Sequence, residues 1–140
     1  MAVEKEKLME FPLVSAVRVT VQRTRKLATR RLGEIGLFPG QEVVLLELLE
    51  HRNMNQAELA AALEIEPPSV TGLLTKLDAA GLVSRIPHGR EKRITLTMAG
   101  RAAAAQTLEV YADIERALAD GKTPEQVAAA ATTLRCVSEA

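Results

Sequence analysis

Between Asn55 and Ala80 the sequence starts two helices with room for only a tight turn between them. Asn55-Gln-Ala-Glu58 has capping-box form, a side-chain acceptor at the N-cap and a carboxylate three residues on, and predicts a short helix over Gln56–Leu63. Glu64–Glu66 can be no more than a turn. Pro67 and Pro68 then fit a first helical turn, where no amide donor is needed. Val70, Leu73, Leu74 and Leu77 give this second helix one apolar face, and Gly81 is suited to end it near Ala80. Its other face carries Ser69, Thr71, Gly72, Thr75 and Lys76, which are mostly small or polar.

The flanking segments are read in the same way. Leu82–Ile86 and Arg93–Leu96 alternate apolar and polar residues around Pro87-His-Gly-Arg90, which predicts a hairpin with a short basic turn. Upstream, Phe11–Ile35 sets Val14, Val17, Val21, Thr24, Ala28, Leu32 and Ile35 at steps of three or four, a helix closed by Gly36. A strand-like alternation over Val17–Val21 competes but is much shorter. Pro39-Gly-Gln-Glu42 opens the next helix, with Val43, Val44, Leu45, Leu46, Leu48 and Leu49 as its stripe. Thr97 caps a long helix to about Ala119, with Ala105, Leu108, Tyr111, Ala112 and Leu118 on one side, and Asp120-Gly121 breaks it. Thr123-Pro-Glu-Gln126 starts a last helix through Val127–Val137. The fold class is mostly α with a small β-hairpin (α+β).

Composition narrows the function. With 47% of its 140 residues hydrophobic, the chain can fill the core of one domain, so it is not a disordered chain. Its 18 basic and 18 acidic residues cancel, but unevenly along the chain. Six basic residues face one acidic over 11–40 and six face two over 67–101, while 41–66 and 102–140 are acidic. Two such basic blocks can share a positive face, because salt screens charges over roughly 10 Å. Aromatics at 2% argue against a stacking platform for single-stranded nucleic acid.

Several classes drop out. Charges alternate in Met1–Glu10 where a signal peptide needs an apolar run, and no hydrophobic run exceeds five residues where a membrane span needs roughly 20. The expectation is no membrane. Cys136, the single cysteine, allows no internal disulfide or CxxC pair, which fits a reducing cytoplasm. It reads as a buried helix thiol. His51 and His88 lack metal-ligand spacing and read as surface residues, so no metal or cofactor is expected. GxSxG, GxGxxG and P-loop patterns are absent and Cys136 has no evident histidine partner, which argues against an enzyme.

Two short helices followed by a hairpin with a basic tip have the layout of a winged helix-turn-helix. A DNA major groove about 12 Å wide admits one helix, and a hairpin alongside can reach the backbone or minor groove. In Asn55-Gln-Ala-Glu-Leu-Ala60, Glu66-Pro-Pro-Ser-Val-Thr71, Leu77-Asp-Ala-Ala-Gly-Leu-Val83, Arg85 and Leu96-Thr97 with Gly100, the chain resembles the MarR family of transcription regulators. Gly36-Leu-Phe-Pro-Gly-Gln41 and Thr123-Pro-Glu-Gln126 extend the likeness over nearly the whole chain.

The resemblance implies a single domain over 1–140, with a winged helix-turn-helix lobe at 37–100 and a helical dimerisation lobe from 8–36 and 101–140. It implies a homodimeric repressor on a palindromic, inverted-repeat operator in double-stranded DNA, released by a small aromatic or anionic effector. Such a protein is cytoplasmic, and nucleoid-associated when bound. The candidate DNA contacts are Asn55, Gln56, Pro68, Ser69, Thr71, Gly72, Thr75 and Lys76 on the helices, and Arg85, Arg90, Lys92 and Arg93 on the wing.

This chain departs from the family pattern in three places. Gly72 stands where many members carry a basic residue, and reads either as close backbone approach to DNA or as a tight packing contact or tolerated drift. Counted back from Leu96-Thr97, the family's Asp-x-Arg falls on His88-Gly89-Arg90; counted forward from Arg85, it falls on Glu91-Lys92-Arg93. We adopt a shortened wing with Arg90 at its tip. Glu64 stands where a turn glycine is common.

The first helix adds Arg18, Arg23, Arg25, Lys26, Arg30 and Arg31, a solvated or subunit-pairing face or the frame of an anionic ligand. Gly72, the short wing and the zero net charge also motivate a competing reading, a winged-helix protein-interaction or dimerisation module with weak or lost DNA binding. A thiol switch at Cys136 is disfavoured, since the cysteine through which one branch of the family senses hydroperoxides lies near the N-terminus, where this chain has none.

Overall fold

The computed structural model describes residues 9–140; residues 1–8, which include the charged start of the chain and the first residue of the 8–36 segment, lie outside the described residues. The elements are α1 (Pro12–Glu34), α2 (Gln41–His51), β1 (Asn53–Met54), α3 (Gln56–Leu63), α4 (Pro67–Ala79), β2 (Val83–His88), β3 (Glu91–Leu96), α5 (Met98–Ala119) and α6 (Pro124–Ser138). The strand alternation at Val17–Val21 is overridden by the longer helical repeat of α1.

Local chemistry sets most of these boundaries. Asn55 Oδ1 accepts the Glu58 amide at 2.8 Å and Glu58 Oε2 accepts the Asn55 amide at 3.4 Å, so the box at the start of α3 is closed from both sides. Thr123 and Gln126 do the same for α6, at 3.2 and 3.0 Å. Gly81, at φ +73°, lets the Leu82 amide fold back to the Leu77 carbonyl at 2.9 Å, and Gly36 closes α1 in the same way.

Pro39 is not part of α2. The helix begins at Gln41 behind Gly40, whose φ of 101° sets a turn that Gln41 Oε1 braces by accepting the Phe38 amide at 2.8 Å. The hairpin is longer than the sequence suggests, because His88 pairs with Glu91 and Pro87 with Lys92, leaving only Gly89 and Arg90 in the turn. A third strand, β1, pairs antiparallel with β3 through Asn53↔Thr95 and Met54↔Ile94, giving the sheet order β1-β3-β2.

One core joins the elements. Val44, Leu45 and Leu48 of α2 are buried in a cluster with Leu32 of α1, Leu59 of α3, and Val70, Leu74 and Leu77 of α4. Ile94 and Leu96 of β3 and Ala103, Ala104, Val110 and Ile114 of α5 join it. Each fully buried leucine or valine contributes about 1.5–3 kcal/mol relative to exposure.

Two expectations about the outer helices are overturned. On α5 the inward residues are Ala103, Ala104, Thr107, Val110 and Ile114, whereas Leu108, Tyr111 and Leu118 are exposed. The helix carries apolar residues all round, and the face that packs against α1 and α2 is the one with Ala103, Ala104 and Thr107 in its first half and Val110 and Ile114 in its second. Cys136 is exposed, because α6 buries none of its residues within the chain. Val14 and Val21 of α1 are likewise exposed, since the core is reached only near Leu32. No described helix is long and apolar enough to cross a membrane.

Candidate nucleic-acid interface

The candidate surface is built on α4. Burial of Val70, Leu74 and Leu77 fixes the rotation of the helix, which leaves Pro68, Ser69, Thr71, Gly72, Thr75 and Lys76 exposed. Its first turn presents side chains rather than amides. Pro67 and Pro68 have no N–H, and the Ser69 and Val70 amides both donate to the Glu66 carbonyl, at 2.9 and 3.3 Å. Any recognition by this end must therefore run through side chains.

Those side chains differ in their freedom. Thr71 Oγ1 donates to the Pro67 carbonyl at 3.1 Å and accepts from Gln56 Nε2, so this hydroxyl ties the first turns of α3 and α4 together. Thr75 Oγ1 donates to the Thr71 carbonyl at 2.8 Å. Lys76 Nζ lies 5.8 Å from the centre of the exposed Phe38 ring, within cation–π range. A Cβ on Gly72 would meet nothing within 4 Å, so this glycine fills no packing contact.

Two open clefts border the helix pair. One, of about 290 Å³, lies between α3 and the wing and brings Asn55, Gln56, Arg85 and Lys92 together. The other, of about 400 Å³, lies between the start of α2 and α4 and is lined by Pro39, Val43, Ser69, Gly72 and Lys76. Eight of the twelve candidate contacts thus share α3 and α4 or their edges, and the other four are carried by the wing.

On the wing, Gly89 at φ +64° and Arg90 form the exposed tip. Arg85 Nε lies 4.0 Å from Asp78 Oδ2 at the end of α4. Arg93 is placed differently. Its side chain is only 24% exposed and turns back to the lobe, with Nη1 on Glu58 Oε1 and Nε on Asn53 Oδ1, both at 2.9 Å. No pattern in the sequence points to this partnership, because the cap already accounts for Glu58 and nothing marks Asn53.

Elsewhere, Arg31 of α1 donates to Asp113 of α5, which also receives Arg116, so one of the six cations of α1 is held within the chain. Tyr111, though still 39% exposed, has its phenol held above the usual 10.0, by partial burial first and by the charge of Glu42 second. His51 and His88 are both exposed, as their sequence setting suggests.

Comparison with known proteins agrees with this geometry. Residues 37–95 match the MarR family model. The HTH-type transcriptional repressor MdtR of Bacillus subtilis is 29% identical over 59 residues, which span 42% of this chain and 38% of that protein. A cysteine-to-serine variant of E. coli MarR, in complex with operator DNA, superposes with a TM-score of 0.84 at 23% identity, covering 93% of this chain and 96% of that one. BpsR of Bordetella bronchiseptica, whose DNA binding is regulated by 6-hydroxynicotinic acid, superposes with a TM-score of 0.79 at 25% identity, over 91% and 94% of the two chains. The family model is thus matched over residues 37–95, less than half of the chain, while the fold shared along nearly its whole length is the winged helix-turn-helix fold of the MarR structures.

Proposed function

We propose that the protein is a repressor that binds a palindromic operator as a homodimer, inserting α4 of each subunit into successive major grooves about 34 Å apart. The observation that carries this reading is the outward face of α4, where Ser69, Thr71, Gly72, Thr75 and Lys76 are all exposed beside a wing tipped by Arg90. In this reading small side chains let the helix approach base edges, and Arg90 and Lys92 meet phosphates or the minor groove. Asn55, Gln56, Pro68, Arg85 and Arg93 border that surface.

Pairing of two copies is supported by the apolar residues that one chain leaves uncovered. Phe11, Val14 and Val21 of the N-terminal segment, Leu108 and Leu118 of α5, and Leu134 and Val137 of α6 are all exposed. They lie in 8–36 and 101–140, the segments assigned to a dimerisation lobe. A small aromatic or anionic ligand that changed the separation of the two α4 helices would release DNA. The regulation of BpsR by 6-hydroxynicotinic acid supports this part.

Selection of bound duplexes from a random pool, followed by titration of the winner against salt, tests the proposal. The expected result is an enriched inverted repeat with a steep salt dependence. Absence of enrichment would overturn it in favour of a protein-interaction module.

A further inference from the structure

The two oxygens of Glu58 do different things. Oε2 accepts the Asn55 amide and closes the cap of α3, while Oε1 receives Arg93 from the wing at 2.9 Å. A second tie runs beside it, from Asn55 Nδ2 to Glu91 Oε2 at 2.9 Å. Arg93 also bridges to β1, through Nε to Asn53 Oδ1 at 2.9 Å and Nη2 to the Asn53 carbonyl at 3.3 Å. The start of α3 and the tip half of β3 are therefore held by one network of charge-assisted bonds, whose centre is Arg93.

We propose that Arg93 is a positioning residue of the wing, which fixes the hairpin to the start of α3 and so sets where Arg90 is delivered. The inference rests on the DNA-binding reading of α4 and the wing. Three of the guanidinium's five N–H donors are already spent inside the lobe. To meet a phosphate, Arg93 would have to break bonds that are stronger than neutral ones. Arg90, in the two-residue turn, has no such ties to give up among the described residues. β3 is short and stiff between Arg93 and the tip, so a change of hairpin angle at Arg93 moves Arg90 sideways.

The test compares Arg93→Gln, Arg93→Lys, Glu58→Gln and Arg90→Gln by titrating a random-sequence DNA duplex and the selected operator against salt. Removing the negative charge of Glu58 strengthens binding to a polyanion if charge alone matters. Under the proposal Glu58→Gln instead weakens operator binding about five- to tenfold, as Arg93→Gln does, and both keep the wild-type salt slope. Arg90→Gln lowers the slope by about one. Arg93→Lys keeps a charge able to meet a phosphate but loses the planar fork that reaches two partners, so it behaves like Arg93→Gln. Tighter binding by Glu58→Gln, or a slope lowered by Arg93→Gln and restored by Arg93→Lys, would overturn the proposal.

A second measurement needs no DNA. Amide hydrogen exchange over residues 84–95 accelerates about tenfold or more in Arg93→Gln and Glu58→Gln, with α2 and α4 unchanged. Unchanged wing exchange overturns the clamp even where DNA binds well. Accelerated wing exchange in a protein that binds no duplex supports the clamp and overturns the DNA reading alone.

Discussion

The first turn of α5 lies directly on the backbone of Leu82: a Cβ on Gly100 would stand 1.9 Å from the Leu82 carbonyl oxygen and 2.9 Å from its carbon. The same carbonyl accepts the Thr97 amide at 3.1 Å, and Thr97 Oγ1 donates to the Gly81 carbonyl at 2.6 Å. The end of α4, the start of β2 and the start of α5 therefore meet in one joint. Backbone cannot swing aside as a side chain can. Gly100→Ala is expected to destabilise the fold by about 2–3 kcal/mol in denaturant unfolding. A change below about 0.5 kcal/mol would show that the joint yields.

Gly72 is the opposite case. It lies mid-helix on an open surface, and a methyl group added there would find nothing within 4 Å. Gly72→Ala is expected to raise stability by about 1 kcal/mol, the ordinary helix penalty of glycine. Gly72→Arg adds a cation to the surface proposed to face DNA, and should steepen the salt slope of duplex binding by about one. A slope that does not move would place this face away from phosphates.

Glu64 ends α3 at φ 53°, ψ 41°, in the left-handed region. An L-residue there is disfavoured by roughly 1–2 kcal/mol, while glycine escapes that strain but gains roughly 0.4–1 kcal/mol of unfolded-state freedom. Glu64→Gly should therefore stabilise the protein by about 0.5–1 kcal/mol, and Glu64→Val should destabilise it. Thermal unfolding of the pair checks the sign of each.

Tyr111 keeps its proton more firmly folded than unfolded, because burial and then Glu42 raise its pKa from 10.0. Its contribution is complete below about pH 10 and is lost as pH rises through the folded value. Wild type should lose stability more steeply above about pH 10 than Tyr111→Phe, which has nothing to ionise at that position. Parallel curves in alkaline denaturation would remove this contribution.

Leu108, 50% exposed on α5, lies among the apolar residues assigned to subunit pairing. Leu108→Glu should shift the protein toward monomer in sedimentation while leaving the thermal transition of the lobe at 37–100 in place. Unchanged association would move the pairing surface elsewhere.

The capped starts of α3 and α6 and the outward face of α4 are legible in the sequence, since a cap or an apolar stripe involves only residues a few positions apart. Glu64 is visible as an oddity, and its left-handed backbone explains why a glycine would suit that turn. β1 is not legible. Asn53 and Met54 carry no pattern, and they form a strand only because the edge of β3 lies beside them. On α5, alanines on every side leave the periodicity ambiguous, so Leu108, Tyr111 and Leu118 suggest one core face while packing against α1 and α2 buries the face of Ala103, Ala104, Thr107, Val110 and Ile114. Cys136 reads as an inside residue because helix thiols are commonly buried, but a helix that buries none of its residues among the described ones has no inside.

The sequence by itself determined where the helices start, which residues of α4 face outward and that the wing is basic, because these follow from spacing along a chain of fixed geometry. Only the tertiary structure decided which cations the wing has free. Arg90 and Arg93 are indistinguishable by type and spacing, yet Arg93 meets Glu58 and Asn53, 35 and 40 positions away, and Arg90 projects from the turn. A charge is available to a partner only when its neighbours leave it so, and those neighbours are set by packing.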